Sequence, residues 1–146
     1  MIRPASVSIT LACALLAAAA LGSCATHGGK TTTRKQIDRG AKLFATACAG
    51  CHGTDARGHG PVAPLLGAPV ADLTHFAARR PGAFPEDELY QIIDGQADLS
   101  AHGPRHMPVW GYEFFGESPD DEAAHREATR KIEDLIAFLR SVQRTE

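Results

Sequence analysis

Cys48-Ala49-Gly50-Cys51-His52 is the stretch of this 146-residue sequence that decides its fold. Two cysteines three positions apart, followed at once by a histidine, form the motif of covalent c-type haem attachment. Each thiol adds across one vinyl group of the porphyrin, and the two-residue gap lets both sulfurs reach their vinyl groups from one helical turn. His52, beside the second thioether, is then placed to bind the iron from one side. Because the motif occurs once, it predicts one haem.

Cys-x-x-Cys pairs also occur in redox-active disulfides and as halves of zinc sites. A zinc site would need a second ligand pair, but no cysteine follows Cys51. A thioredoxin-like site would need flanking strands, whereas the segments on either side of the motif predict a helix and a glycine-rich loop. Haem attachment therefore explains the pair better than either alternative.

The N-terminal residues have the composition of a secretory signal. Arg3 is the only charged residue before Lys30, and residues 7–21 form an apolar run dominated by Ala and Leu. This run is short for a transmembrane helix, which needs about 20 apolar residues, and it suits the hydrophobic core of a signal peptide. Residues 25–33 are small and polar, as in a flexible tether. We predict a signal at 1–23, a tether at 24–33 and one domain at 34–146.

The apolar run ends at Leu21-Gly22-Ser23-Cys24, which resembles the lipobox of bacterial lipoproteins. The resemblance implies that the signal is removed before Cys24, which then carries lipid and anchors the protein in the periplasm. An ordinary cleaved signal and an uncleaved anchor are the alternatives. Of the four cysteines, Cys13 would leave with the signal and the last two would carry haem, so we expect no disulfide.

The charge pattern gives no indication of nucleic-acid binding. Without Arg3, the 15 basic side chains fall to 14, against 17 acidic ones, so the mature chain would have a net charge of −3. There is no basic tract and no alternation of basic and aromatic residues. The pair Arg79-Arg80 is too short to form a polybasic membrane patch.

Hydrophobic periodicity predicts helices and no strands. The first helix, at 35–47, has an apolar stripe formed by Ile37, Ala41, Phe44 and Ala45. A short helix is expected at 72–79 with Asp72 as cap, and a better one at 85–94 with Gly95 as its stop. The last helix would begin with Ser118 as cap, and its apolar stripe is formed by Ala124, Ala128, Ile132, Leu135, Ile136, Leu139 and Val142. Five Gly and Pro residues between 58 and 67 predict a loop around the haem edge at 54–69, and residues 96–117 predict irregular structure.

Residues 37–142 resemble the class I monohaem cytochromes c. Gly40 and Phe44 lie four apart, with Phe44 four positions before the haem motif, as in the first helix of that family. Asp134-Leu135-Ile136-Ala137-Phe138-Leu139 resembles the family's last helix. The resemblance implies an all-α fold in which three to four helices pack around one covalently bound haem. It also implies that the first and last helices cross at Gly40, against Leu135 and Phe138.

Met107 lies in Met107-Pro108-Val109-Trp110-Gly111, which resembles the family's Met-Pro-x-Trp-Gly loop. The resemblance implies that Met107 binds the iron opposite His52. A thioether stabilises ferrous over ferric iron, so such a pair raises the reduction potential. A methionine that fills a gap in the core is the alternative, and His102 and His106 are rival ligands in the same loop.

Pro61 and Trp110 are two further candidate residues of the haem site. Pro61 resembles the family proline whose carbonyl accepts the Nδ1 proton of the haem histidine, with Pro64 as its competitor. Trp110 would donate its indole N–H to a haem propionate or close the haem edge as part of the core. Arg79 and Arg80 would pair with propionates or lie exposed at a helix end.

The resemblance therefore implies an electron carrier rather than an enzyme. It would be a lipid-tethered periplasmic monomer that cycles haem iron between ferric and ferrous states, with redox proteins as transient donor and acceptor. One alternative is a haem subunit of a larger oxidoreductase, with Phe114-Phe115 as docking residues. Another is a peroxidase or gas-reactive enzyme with an open sixth position, where His102 or His106 would be the distal acid–base group. Met107 argues against that second alternative.

Overall fold

The chain forms helices joined by loops in the residues that the structure describes. The computed structural model describes residues 32–79, 84–97, 107–116 and 120–144, all within one compact unit, Thr31–Glu146. These ranges contain no strand, and their elements are α1 (Arg34–Ala47), α2 (Ala49–His52), a 3₁₀ helix (Ala63–Leu65), α3 (Phe76–Arg79), α4 (Glu86–Asp94), α5 (Trp110–Phe115) and α6 (Glu122–Ser141). The all-α prediction is confirmed. Besides the four helices predicted from the sequence, the described ranges contain α2 and α5, which are too short to give a periodic pattern.

Several predicted features fall on residues outside these ranges. They are the signal peptide at 1–23, Cys24 and most of the tether, together with His102, His106 and Ser118. Within the described ranges, no helix is long and apolar enough to cross a membrane.

A complete capping box begins α1. The Thr33 hydroxyl accepts a hydrogen bond from the Gln36 N–H, and the Gln36 side chain accepts one from the Thr33 N–H at 2.9 Å. The helix buries Gly40 and Phe44. Ala45, which the sequence placed on the apolar stripe, is exposed. The buried face is therefore narrower than predicted and is centred on the contact with α6.

Helices α1 and α6 cross at Gly40. A Cβ atom at this position would lie 2.6 Å from the carbonyl carbon of Asp134 and 2.9 Å from the Cβ of Phe138. Only glycine therefore permits the observed approach of the two backbones. The Phe44 and Phe138 rings pack beside this point, with centroids 5.0 Å apart, and Leu135 is fully buried. The crossing is the one expected from the sequence.

Asp134 is a buried carboxylate at the same crossing, and two arginines bind it. Its oxygens accept hydrogen bonds from Nε and Nη2 of Arg39 at 2.6 and 2.7 Å, and from Nη1 of Arg130 at 2.8 Å. Its side chain is 3 % exposed, whereas both arginines are nearly half exposed. Removing one partner of a buried ion pair leaves a buried charge uncompensated. This cluster therefore fixes the register in which α1 packs on α6.

The ends of α3 and α6 differ from the predicted ones. Helix α3 begins at Phe76 rather than at 72, because Asp72 Oδ1 accepts the Thr74 N–H at 2.8 Å and so caps a turn before the helix. Helix α6 begins at Glu122, with Asp121 as N-cap accepting the Ala123 N–H at 2.8 Å. Helix α4 ends at Gly95 as predicted, in the left-handed conformation with φ +91°.

Gly40→Ala is expected to lower the free energy of unfolding of the haem-loaded protein by ~2–3 kcal/mol. The added methyl group would force α1 away from α6, and chemical denaturation measures the loss. Gly50→Ala is the matched control, because a Cβ there meets only Val62 Cγ2, at an ordinary 3.7 Å. Equal destabilisation of both variants would contradict the close crossing as the cause.

Candidate functional site

An apolar cavity of about 330 Å³ lies beside α2. The end of α1, helix α2, the segment 66–76, helix α4 and residues 107–110 all contribute to its walls, together with Leu135 of α6. Leu89, Ile93 and Leu135 join this wall to the buried core. The predicted site residues Cys48, Cys51, His52, Met107 and Trp110 all line the cavity. Two thiols, an imidazole and a thioether on the wall of an apolar cavity fit a c-type haem.

Cys48 and Cys51 are free, half-buried thiols on this wall. Cys48 joins α1 to α2: its N–H donates to Phe44 O at 2.9 Å, and its carbonyl accepts the Cys51 N–H at 3.2 Å. Burial raises the pKa of Cys48 to about 11, with the charge of Cys51 as a smaller cause. Redox-active cysteine pairs depend on a lowered thiol pKa. The surroundings of Cys48 therefore argue against a redox disulfide.

A zinc site finds no support in the described ranges either. No group of three or more His, Cys, Asp or Glu residues there could hold a metal ion. The described residues thus do not complete, around Cys48 and Cys51, the four-ligand set that structural zinc requires.

His52 ends α2 and lines the cavity as the tautomer that can bind a metal through Nε2. Its Nδ1–H donates to the carbonyl oxygen of Ala71 at 3.1 Å. Because a carbonyl can only accept, Nδ1 carries the proton and Nε2 keeps its lone pair. Burial lowers the pKa of His52, partly opposed by the hydrogen bond to Ala71. The ring is therefore neutral at neutral pH, with Nε2 available to a metal.

Ala71, and not Pro61, supplies the carbonyl that holds the His52 ring, which corrects the prediction. Pro61 is exposed and is absent from the cavity wall, as is Pro64. The reason lies in the flanking backbone, where the Gly60 N–H donates to Cys51 O and the Val62 N–H donates to Gly50 O, both at 2.9 Å. These bonds hold Pro61 against the backbone of α2. Ala71 could not be predicted from the sequence, because a residue of any type can provide a backbone carbonyl.

Met107 and Trp110 reach the cavity from the start of α5. Both are half-buried and pack against the hydrophobic core. The Trp110 ring lies 5.6 Å from the Phe114 ring, centroid to centroid. Trp110 therefore forms part of the cavity wall, and its hydrogen bond to a haem propionate stays a prediction. The rival ligands His102 and His106 lie outside the described residues.

Two glycines allow the Met107 segment to pack on the end of α4. A Cβ on Gly95 would lie 3.1 Å from the Cβ of Val109, and a Cβ on Gly111 would lie 2.6 Å from the carbonyl oxygen of Asp94. Any larger residue at either position would displace the segment that brings Met107 to the cavity. Gly95 was predicted only as a helix stop, since contacts between distant segments are not visible in a single sequence.

Phe114 and Phe115, considered above as docking residues, are half-buried and bind α5 to α6. Phe114 belongs to the core, with Lys131 Nζ 5.4 Å from its ring centroid. Phe115 packs on His125, with ring centroids 4.3 Å apart. Both rings therefore take part in packing within the chain, and their role as docking residues stays a prediction. Arg79 is exposed at the end of α3, and Arg80 lies outside the described residues.

Comparison with known families agrees with this geometry. The family model for Cytochrome c matches residues 37–143, which include every residue of the cavity wall. Comparisons with curated proteins and with solved structures gave no match. Members of the family are in general haem-based electron carriers. Because the match covers more than half of the sequence, the chain belongs to the cytochrome c family, and its cofactor is a covalently attached haem c with iron.

Proposed function

We propose that this protein is a periplasmic, lipid-tethered electron carrier of the class I type, with one haem c ligated by His52 and Met107. One observation carries the proposal: Cys48, Cys51, His52 and Met107 all line a single apolar cavity. These four side chains would provide the two thioether bonds and the two iron ligands that such a haem needs.

The haem supplies an iron that cycles between ferric and ferrous states. Cys48 and Cys51 would form its thioether bonds, His52 would offer Nε2, and Met107 would offer its sulfur from the segment before α5. A thioether favours the ferrous state, so the pair raises the reduction potential. If His52 and Met107 both bound the iron, no position would remain at which a substrate could bind the metal.

The residues around the cavity limit the movement of the His52 ring and keep water away from the site. The hydrogen bond from His52 to Ala71 fixes the imidazole plane. Leu89, Ile93 and Leu135 are almost fully buried in the cavity wall. A rigid, dry site changes little in geometry when the charge on the iron changes, which keeps the reorganisation energy of electron transfer small.

Voltammetry of the purified holoprotein tests the carrier function. We expect a single reversible one-electron wave that is unchanged when hydrogen peroxide is added. A peroxidase would need an open sixth position and a distal acid–base group. A catalytic peroxide-reduction current from the wild-type protein would contradict the carrier proposal.

The proposed partners are a redox donor and acceptor that meet the monomer transiently. Such encounters bury less than about 1,200 Å² of surface, so neither partner requires a large apolar patch. We propose a free carrier rather than a fixed subunit of a larger oxidoreductase. A stoichiometric partner that copurifies from membranes in mild detergent would instead favour the subunit.

The membrane anchor is proposed to be lipid on Cys24, with the signal removed before it. Cys24→Ala is expected to move the protein from the membrane to the soluble fraction, because stable anchoring needs more than one acyl chain and this modification supplies them. Cys13→Ala, inside the apolar run, is the control and should leave the protein with the membranes. If Cys24→Ala remained in the membrane fraction as the wild type does, an uncleaved anchor would replace the lipid.

A further inference from the structure

Gln143, two residues past the end of α6, uses both hydrogens and the oxygen of its amide in hydrogen bonds. Nε2 donates to the carbonyls of Leu73 and Leu139, each at 2.8 Å. Oε1 accepts the Ala77 N–H of α3 at 3.1 Å. The side chain therefore ties the end of α6 to residues 73–77, which are distant in sequence.

The segment that Gln143 holds also carries the hydrogen-bond acceptor of His52. Leu73 lies two residues after Ala71, whose carbonyl accepts the His52 Nδ1–H. The Leu73 N–H is bound on its other side to Ala56 O at 2.8 Å. Leu73 is thus held through both its carbonyl and its N–H. Because Ala71 is only two residues away, the position of Leu73 limits where the Ala71 carbonyl can lie.

Two further contacts keep residues 71–74 in one conformation. Thr74 is buried, and its N–H and hydroxyl donate to Asp72 Oδ1 at 2.8 and 2.7 Å. The Thr74 carbonyl accepts the Arg144 N–H at 2.8 Å. Residues 143 and 144 therefore hold this segment together, one through its side chain and the other through its backbone.

Gly58 contacts the same segment from another side. Its φ is +83°, and a Cβ there would lie 3.2 Å from the Ala71 carbonyl oxygen. Its N–H donates to the carbonyl of His52 at 2.8 Å. The Ala71 carbonyl is therefore confined between the Gly58 backbone and the His52 ring, and Gln143 holds the chain that leads away from it.

We propose that Gln143 is a positioning residue for the iron ligand His52. By holding Leu73, it fixes the Ala71 carbonyl at the distance and direction that the His52 Nδ1–H requires. A firm hydrogen bond at Nδ1 raises the basicity of the coordinating nitrogen, which favours ferric iron. Loosening the Ala71 carbonyl should therefore raise the reduction potential. This inference rests on the proposed role of His52 as an iron ligand and does not depend on Met107.

Two variants separate the donor and acceptor roles of the Gln143 amide. Gln143→Glu keeps an oxygen for the Ala77 N–H but has no hydrogen to donate to Leu73 O. Gln143→Lys keeps a donor for Leu73 O but has no acceptor for Ala77. Gln143→Met is a second donor-free variant, without the added charge. Gln91→Met, at an exposed glutamine of α4, is the matched control.

The holoprotein variants are compared by reduction potential and by NMR measurement of hydrogen exchange at the His52 Nδ1–H. Gln143→Glu and Gln143→Met should both raise the reduction potential. Both should also increase the exchange rate of the His52 Nδ1–H on the order of tenfold, as expected for losing one or two net hydrogen bonds. Gln143→Lys should stay close to the wild type in both measurements, and Gln91→Met should match it.

A purely structural role for Gln143 predicts a different pattern. The variants would unfold more easily and exchange the Ala77 N–H faster, while the potential and the His52 ring proton stayed as in the wild type. That result would overturn the positioning role alone. A wild-type haem without a histidine ligand would overturn both this proposal and the proposed function.

Discussion

Replacing Cys48 and Cys51 together with serine is expected to abolish haem attachment and leave little folded protein. A serine hydroxyl does not form the thioether, so the haem would have no covalent bond to α2. The cavity wall would then lose the apolar group that it surrounds, leaving Leu89, Ile93 and Leu135 around an unfilled space. A domain of this size buries too little apolar surface for its core to absorb that loss. The single replacements should weaken attachment without eliminating it.

Acid–acetone treatment of the denatured proteins measures this effect. Wild-type haem should remain with the protein precipitate, and circular dichroism should show little helix in the double variant. Cys13→Ser, outside the proposed mature chain, is the control and should load haem normally. Haem that passes into the solvent from the wild-type protein would contradict covalent attachment.

Replacing Met107 is expected to have the second largest effect, on the iron itself. Met107→Ala should open the sixth position and lower the reduction potential by on the order of 0.1 V, a modest part of the ~0.8 V range that axial ligands set. Cyanide and carbon monoxide should then bind quickly. Met107→His should remain low-spin and still lower the potential, because imidazole favours ferric iron more than a thioether does.

Equilibrium redox titration and stopped-flow ligand binding measure these changes. His102→Ala and His106→Ala are the matched controls from the same loop, and both should keep the wild-type potential and slow ligand binding. A Met107→Ala protein with unchanged potential would make Met107 a core residue rather than a ligand.

The long helices of this fold, which have a periodic apolar pattern, could be predicted from the sequence, whereas a helix as short as α5 could not. The apolar positions of α6 recur over 20 residues, so its buried face at Ala128, Ile132, Leu135 and Leu139 matches the predicted stripe. Helix α5 has six residues, fewer than two turns, and it lay within a segment predicted to be irregular. Its helical form depends on packing against α4 and α6 more than on its own pattern.

The chemistry-bearing side chains of the site were visible in the sequence, whereas the residues that position them were not. Cys48, Cys51, His52 and Met107 are rare residue types in recognisable spacings. Ala71 contributes only a backbone carbonyl, which any residue could provide, and so the role was assigned to Pro61. Gln143 and Asp134 act through contacts with residues 66 to 95 positions away, and a single sequence gives no measure of such pairings.

The far-red charge-transfer band between methionine sulfur and ferric iron tests the proposed His52/Met107 ligation most directly. We predict that the wild-type protein shows this band, that Met107→Ala and Met107→His lose it, and that His102→Ala and His106→Ala retain it. A wild-type protein without the band, with bis-imidazole magnetic signatures that disappear in the His102 or His106 variant, would contradict the account.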